Sequence, residues 1–329
     1  MPHLGLQRIM IPGAQVSALT SGTITLTGAK GAFLIGAAYF AGGTNGANFD
    51  RIDKINFFDS DSKTTLAAVL TATNYQNAAC ANSGTAMYIA GGYSGAYITR
   101  IDKLTFNGET KSTLSAVLTV TRGSFAAAAN SGTAGYFTGG YNGEQLSSID
   151  KLSFSGETIS AIGATLTSAT SNTTNAANSG TAMYIAGGGD AGGYLNRIDK
   201  IAFSADTKTT LGAVLTGVIH AGAGAANSGT AAYFAGGGNA SARVDRIDKL
   251  TFNGETKSTL SAVLTSIAYY LRGCANSGTA MYIGGGREGG TYYDRIDKIA
   301  FSADTKSTLS AVLTTTVEAA SAAANSPTL

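Results

Sequence analysis

The sequence predicts an all-β protein that folds as a single six-bladed β-propeller of four-stranded antiparallel blades. A repeat of about 48 residues, the strand content of one repeat and a glycine-rich, proline-poor composition support this prediction. A Gly-Gly doublet recurs at steps of 49, 48, 48, 49 and 48 residues, beginning at Gly42, Gly91, Gly139, Gly187, Gly236 and Gly284. An aspartate keeps nearly the same period, at Asp53, Asp102, Asp150, Asp199, Asp248 and Asp297.

One repeat contains four strands. In the second unit they are TAMYIAGG (85–92), ITRIDKLTF (98–106), KSTLSAVLT (111–119) and FAAAANS (125–131), which we name b, c, d and a. Strands c and d are separated by Asn107-Gly108, a strong hairpin signal. Four antiparallel strands in this length correspond to one propeller blade, whereas a solenoid would need shorter coils or helices.

The last strand of the series is predicted to close the ring. VEAASAAANS (317–326) has the pattern of strand a and no following strand b, and AAYFAGG (37–43) has no standard strand a before it. Pairing the two completes the first blade and removes an exposed sheet edge. GAFLIG (31–36) is the alternative inner strand. The propeller is therefore assigned to 31–329, and residues 1–30 to an N-terminal arm with a short hairpin predicted in VSALTSGTITLTG.

The composition is that of a protein with a buried core. The 329 residues are 44% hydrophobic, with 44 glycines, three prolines and no tryptophan. A net charge of +2 without a basic run argues against nucleic-acid binding, and no apolar stretch predicts membrane insertion or a signal peptide. Cys80 and Cys274 hold equivalent places in two repeats, so we expect small buried side chains and no disulfide.

The loops differ between the two faces of the predicted disc. The a-to-b and c-to-d turns lie on one face, where NSGT recurs in almost every unit and NGET, SGET or SADT in most. The b-to-c and d-to-a loops lie on the other face, and their sequences differ in every unit. We call these the uniform face and the variable face.

The content of the variable loops favours recognition, although drift in unconstrained loops is the alternative. Tyrosines among Gly, Ser and Asn provide contact area at low entropic cost, as in antibody loops. The predicted ligand- or partner-binding residues are Tyr75, Tyr97, Tyr141, Tyr194, Arg243, Tyr269, Tyr270, Arg287, Tyr292 and Tyr293.

The sequence provides little material for catalysis. His3 and His220 are the only histidines, and Asp59-Ser60-Asp61 lacks the Gly and the distal Glu of a calcium loop. The RIDK group recurs in nearly every unit with Arg two residues before Asp, which indicates a structural ion pair. We therefore predict no catalytic residues, no cofactor and no metal.

The doublet, the short Gly-rich loop, the Ile101-Asp102 pair and Arg122 together resemble the kelch repeat over residues 37 to 325. The NSGTA, YFAGG and IDKLTF phrases are also similar in texture to repeats in structural proteins of tailed bacteriophages. These resemblances imply a non-enzymatic structural and recognition module in a virion, as a tail or capsid appendage made in the host cytoplasm. The alternatives are a lectin or glycan-active enzyme on the same scaffold, and an intracellular kelch-like adaptor.

The arm carries apolar residues that have no place in a blade, Leu4, Leu6, Ile9, Met10 and Ile11. Exposed apolar segments usually mark interaction sites. We expect the arm to dock on other virion or assembly proteins from the uniform face, leaving the variable face free for a host-surface glycan or protein.

Overall fold

The protein is an all-β, six-bladed propeller, as the sequence predicted. The computed structural model describes residues 15–20, 23–27, 36–238 and 242–326. These form six four-stranded antiparallel sheets, three two-stranded hairpins and one 3-10 turn, Asn253–Glu255. No helix in the described ranges is long and apolar enough to cross a membrane.

Each blade runs a, b, c, d in spatial order. The inner strands a are Ser321–Asn325, Ala78–Asn82, Ala126–Asn130, Thr174–Asn178, Ala223–Asn227 and Arg272–Asn276 for blades 1 to 6. Strands b are Ala37–Ala41, Ala86–Ala90, Ala134–Thr138, Ala182–Ala186, Ala231–Ala235 and Ala280–Gly284. Strands c are Ile52–Asn56, Ile101–Thr105, Ile149–Ser153, Ile198–Ala202, Ile247–Thr251 and Ile296–Ala300. Strands d are Ser62–Thr65, Thr110–Thr113, Thr158–Ala161, Thr207–Thr210, Thr256–Thr259 and Thr305–Thr308.

The six inner strands contact one another in a closed cycle. In the first blade, Ser321–Asn325 pairs antiparallel with Ala37–Ala41, in a register that sets Ser321 opposite Ala41 and Asn325 opposite Ala37. The C-terminal segment therefore takes the inner position of this blade. GAFLIG lies outside the described residues except for Gly36.

Three details differ from or add to the predicted elements. Strand d ends at Thr113 because the following segment turns back to bury Leu118, so only part of KSTLSAVLT is a strand. The sixth doublet is Gly285-Gly286, one residue later than predicted, since Gly284 ends its strand. Gly285 has φ 69°, and a Cβ there would lie 2.5 Å from the Val317 carbonyl oxygen. The predicted arm hairpin pairs Gln15–Thr20 with Thr23–Thr27.

Hydrophobic contact between adjacent blades follows one pattern at every junction. The tyrosine of strand b stacks on the phenylalanine at the end of strand c in the next blade, with ring centroids 4.9–5.2 Å apart. Tyr88 and Phe154 are one such pair, inside a cluster that joins blades 2 and 3. Cys80 belongs to this cluster, and both cysteines are buried and free, as predicted.

A carboxylate in each c-to-d turn binds the preceding blade. Glu157 accepts hydrogen bonds from Tyr88 Oη at 2.9 Å and from Lys103 Nζ at 2.5 Å. The equivalent acids are Asp61, Glu109, Asp206, Glu255 and Asp304, each with the Tyr and Lys of the blade before it. All six have a left-handed backbone, with φ from 48° to 55°. Asp61, in the turn Asp59-Ser60-Asp61 compared above with a calcium loop, therefore has a structural role as an acceptor for the tyrosine and lysine of the preceding blade.

The repeated aspartate of RIDK also binds the preceding blade. Asp102 accepts hydrogen bonds from the Thr71 backbone N at 2.9 Å and Oγ1 at 2.6 Å, both in the preceding blade, and from Thr113 Oγ1 in its own. Burial raises the pKa of Asp102, but these bonds and the charge of Arg100 together hold it below its usual value. The equivalent threonines at the other five junctions are Thr119, Thr167, Thr216, Thr265 and Thr314.

The predicted Arg–Asp ion pair forms within blades 1, 2, 4 and 5, with N–O distances of 3.3–3.7 Å. Blade 3 has Ser148 at the arginine position, and Arg122 from the d-to-a segment replaces it. The fully buried Arg122 guanidinium lies 3.3 Å from Asp150 and donates to the carbonyl oxygens of Gly139 and Ser148. In this blade, Arg122 thus compensates for the missing arginine as the cation beside Asp150.

At the uniform face, hydrogen bonds between the NSG turns join adjacent blades around the whole ring. The backbone N of each serine donates to the hydroxyl of the serine in the next blade, at 2.9–3.1 Å, through Ser83, Ser131, Ser179, Ser228, Ser277, Ser326 and back to Ser83. In the reverse direction, Asn82 Oδ1 accepts from the Gly132 backbone N at 2.9 Å. The recurrence of NSG therefore reflects contacts between blades as well as turn formation.

Replacing Arg122 should destabilise the ring much more than replacing the partly exposed arginine of an equivalent pair. We expect Arg122→Met to lower the free energy of unfolding by about 3–5 kcal/mol, because it leaves the buried Asp150 without its cation. The matched control Arg100→Met, at a partly exposed pair, should cost about 0–1 kcal/mol. Denaturant unfolding measures both, and equal losses would contradict the assigned role.

Candidate functional site

The variable face has a constant backbone. The residue after each Gly-Gly doublet forms a β-bridge with the preceding d-to-a segment, and these bridges carry different side chains at every junction. The pairs are Thr44–Glu318, Tyr93–Tyr75, Tyr141–Gly123, Gly189–Ser171, Gly238–His220 and Arg287–Tyr269. Backbone hydrogen bonds hold each bridge, for example from Arg287 N to Tyr269 O at 2.9 Å. The variable side chains therefore project from fixed positions.

A second set of backbone bonds surrounds the central channel on this face. In each d-to-a segment, the residue after the bridge residue has φ between 52° and 58°, and these residues are Gln76, Ser124, Asn172, Ala221, Tyr270 and Ala319. Backbone N donates to the carbonyl oxygen of the neighbouring member at five of the six junctions, at 2.6–3.1 Å. Within the described residues, the sixth bond, from Tyr270 to Ala221, is missing. A left-handed backbone is unusual for a residue as large as tyrosine.

Four tyrosines form a row across blades 1 to 3. Ring centroids are 5.6 Å apart for Tyr75 and Tyr93, 5.1 Å for Tyr93 and Tyr97, and 5.8 Å for Tyr97 and Tyr141, all edge to face. Tyr141 is 37% exposed. This tyrosine row contains three of the predicted binding residues, Tyr75, Tyr97 and Tyr141, together with Tyr93.

An aromatic cavity of about 220 Å³ lies on the opposite half of the face, beside the missing bond. Loops of blades 4 to 6 and the segments between them form its walls. The side chains that line it are Tyr194, His220, Tyr269, Tyr270, Arg243 and Arg287. The structure thus brings together five of the predicted residues with His220, and we call this the arginine cavity.

The two arginines of the cavity have different environments. Arg287 lies 3.1 Å from Glu318 and donates to Tyr269 Oη at 2.6 and 2.9 Å. Arg243 stacks on Tyr269, with its guanidinium carbon 4.5 Å from the ring centroid. Burial raises the pKa of Glu318, while Arg287 and Arg272 act in the opposite direction. Arg272 extends the positive charge onto the inner strand of blade 6.

The ring of His220 lies between two tyrosines of the cavity. Its ring centroid is 4.7 Å from that of Tyr194 and 6.4 Å from that of Tyr270. Burial lowers the pKa of His220 to about 4, so the imidazole is neutral near pH 7. The cavity therefore contains a neutral histidine between its aromatic walls.

The remaining predicted residues fall outside these two groups. Tyr292 contacts Arg287 from the rim. Tyr293 supports the blade, because it packs against a junction core, stacks under Arg295 at 3.9 Å and donates to Glu288. Leu4, Leu6, Ile9, Met10 and Ile11 lie outside the described residues.

Sequence reasoning missed Tyr93, His220 and Glu318. Counting from the doublets would have found them, since Tyr93 follows a doublet as Tyr141 and Arg287 do. His220 and Glu318 are likewise equivalent to Tyr75 and Tyr269.

In the described part of the chain, no cluster of three or more His, Cys, Asp or Glu side chains could hold a metal ion. No known family model matches the chain, and no curated protein matches it. The geometry of the variable face is therefore the basis on which a function can be argued.

The buried His220 should make stability depend on pH. The unfolded chain takes up this proton near pH 6.5 and the folded protein only near pH 4, so the free energy of unfolding should fall as pH falls through this range. His220→Phe removes the effect and leaves the other titrating groups in place. We expect the wild type to lose about 1–3 kcal/mol relative to the variant between pH 7 and pH 4 in denaturant unfolding. Parallel pH profiles would refute this.

Proposed function

We propose that this protein is a non-enzymatic recognition module whose variable face is the binding surface. The observation that supports this most directly is the combination of a constant backbone frame with side chains that differ at every junction. Rigid aromatic residues on a fixed frame provide contact area with little loss of conformational entropy on binding. The uniform face, by contrast, uses its repeated polar groups to hold the blades together.

Three carboxylates of the variable face favour binding over catalysis. Glu318 is paired with Arg287, Glu288 accepts from Tyr293, and Asp190 accepts from Ser168. Each of these carboxylates is held by a neighbour within the face. A paired-acid glycosidase would need two acids free to act on one bond.

We extend the proposal to a virion component, a tail or capsid appendage, on the likeness of the repeats to phage structural proteins and the kelch-like features of the blade. Assembly would use the N-terminal arm. Gly36, where the preceding chain meets the first blade, lies beside Asn325 at the uniform face. Phe58, 62% exposed, is next to it and could extend an assembly surface. Mass spectrometry of purified particles should detect the chain in fixed stoichiometry, and its absence would refute the virion assignment.

Exposed tyrosines of the variable face should be needed for binding to host cells. We expect Tyr141→Ala and Tyr194→Ala each to weaken adsorption of the labelled protein about tenfold, because aromatic anchors dominate such surfaces. Val117→Ala, at an even more exposed position outside the variable loops, is the matched control and should leave adsorption unchanged. Adsorption that survives both tyrosine changes would exclude this face.

Deleting residues 1 to 30 should separate assembly from binding. The truncated propeller should fold with an unchanged melting temperature, bind host cells as before and fail to join particles. Incorporation of the truncated chain into particles would show that the arm is not the assembly segment.

A further inference from the structure

The arginine cavity has one positive charge without a compensating acid. Among the side chains that line the cavity, Arg287 is balanced by Glu318 at 3.1 Å and His220 is neutral, which leaves Arg243 as the net charge of the lining. In the described ranges Arg243 forms no ion pair, and its Nε is buried without a hydrogen-bond partner. A buried guanidinium donor that is unsatisfied costs free energy until an acceptor reaches it.

The stacking of Arg243 on Tyr269 fixes its orientation. With the guanidinium carbon 4.5 Å from the ring centroid, the planar group is held against an aromatic surface. Arg287 donates to the hydroxyl of the same tyrosine, so Tyr269 itself is fixed. A planar guanidinium held in place offers paired donors that match the two oxygens of a carboxylate.

The size and walls of the cavity restrict what could carry that carboxylate. About 220 Å³ is less than the roughly 300–1,000 Å³ of pockets for drug-sized ligands, which suits a single ring. Tyr194, Tyr270 and His220 present aromatic surfaces together with hydroxyl and imidazole groups. Such walls fit a compact ring that has both apolar faces and hydroxyl groups.

The charge balance also favours a monoanion. A phosphate near its second ionisation would bring a second negative charge close to Glu318, and the lining has one uncompensated cation, Arg243, to offset it, since Arg272 lies outside the lining on the inner strand. A carboxylate carries the single charge that Arg243 can neutralise.

We propose that the arginine cavity binds the carboxylate of an acidic sugar residue, with Arg243 as the principal anchor and Tyr194, Tyr270 and His220 around the ring. This rests on the proposed recognition function and names its ligand class. The tyrosine row, on the other half of the face, would contact other parts of the same surface.

Titration calorimetry on the full chain tests this with glycans ending in glucuronate, galacturonate or sialic acid, each beside its carboxyl-reduced counterpart. We expect at least one acidic glycan to bind and its reduced counterpart to bind at least tenfold more weakly. Arg243→Met should weaken binding about 10- to 100-fold, and Arg243→Lys should give an intermediate loss, because it keeps the charge and loses the planar fork. Arg100→Met, in an ion pair within blade 2, is the control and should bind normally.

Several results would overturn the proposal. The proposal is wrong if none of the three acidic glycans binds, or if a reduced counterpart binds as tightly as the acidic glycan. It is also wrong if inorganic phosphate competes as strongly as the sugar, or if Arg243→Met keeps full affinity. Melting temperatures verify that the variants are folded. If the glycans do not bind while Tyr141→Ala still weakens adsorption to cells, the ligand class is wrong and the recognition function stands.

Discussion

The junction between adjacent blades is the interaction on which the rest of this structure depends. Each junction combines three interactions. They are a Tyr–Phe stack, a carboxylate that accepts hydrogen bonds from a tyrosine hydroxyl and a lysine, and an aspartate that accepts hydrogen bonds from a threonine. Because six such junctions must together turn the chain through a full circle, a change at one of them has to be compensated locally. Blade 3 illustrates this, since the loss of arginine at position 148 coincides with Arg122 beside Asp150.

The same constraint explains why the two faces differ. Side chains at the uniform face complete contacts between blades, so their identity is restricted in every repeat. At the variable face the backbone makes those contacts itself, through the β-bridges and the bonds around the channel. Side chains at the bridge positions are therefore not needed to join the blades, and this allows the position after the doublet to hold tyrosine, arginine, threonine or glycine.

The fold could be predicted from the sequence because the repeat encodes it six times. The period gave the blade number, and the Ala-rich pattern of 317–326 identified the closing strand. The early end of strand d and the shifted sixth doublet could not be seen, because both depend on contacts with Leu118 and the Val317 carbonyl in three dimensions.

The site was predictable only in outline. Tyrosines and arginines in the variable loops were apparent, but their division into the tyrosine row and the arginine cavity depends on which loops become neighbours across the ring. His220 seemed isolated in the sequence and lies between Tyr194 and Tyr270 in the fold. Tyr293 shows the opposite outcome, since packing against the core gives it a structural role.

The pairing of Ser321–Asn325 with Ala37–Ala41 has a consequence for the protein during its synthesis. The two strands are 280 residues apart in the chain, as for Ser321 and Ala41. At translation rates of roughly 5–20 residues per second, the first strand must wait about 14–56 s for its partner. Throughout that interval the inner edge of the apolar strand AAYFA is unpaired, a state in which nascent chains associate with one another or with chaperones. Completion of the circle is thus a late, long-range folding event, and it removes this edge.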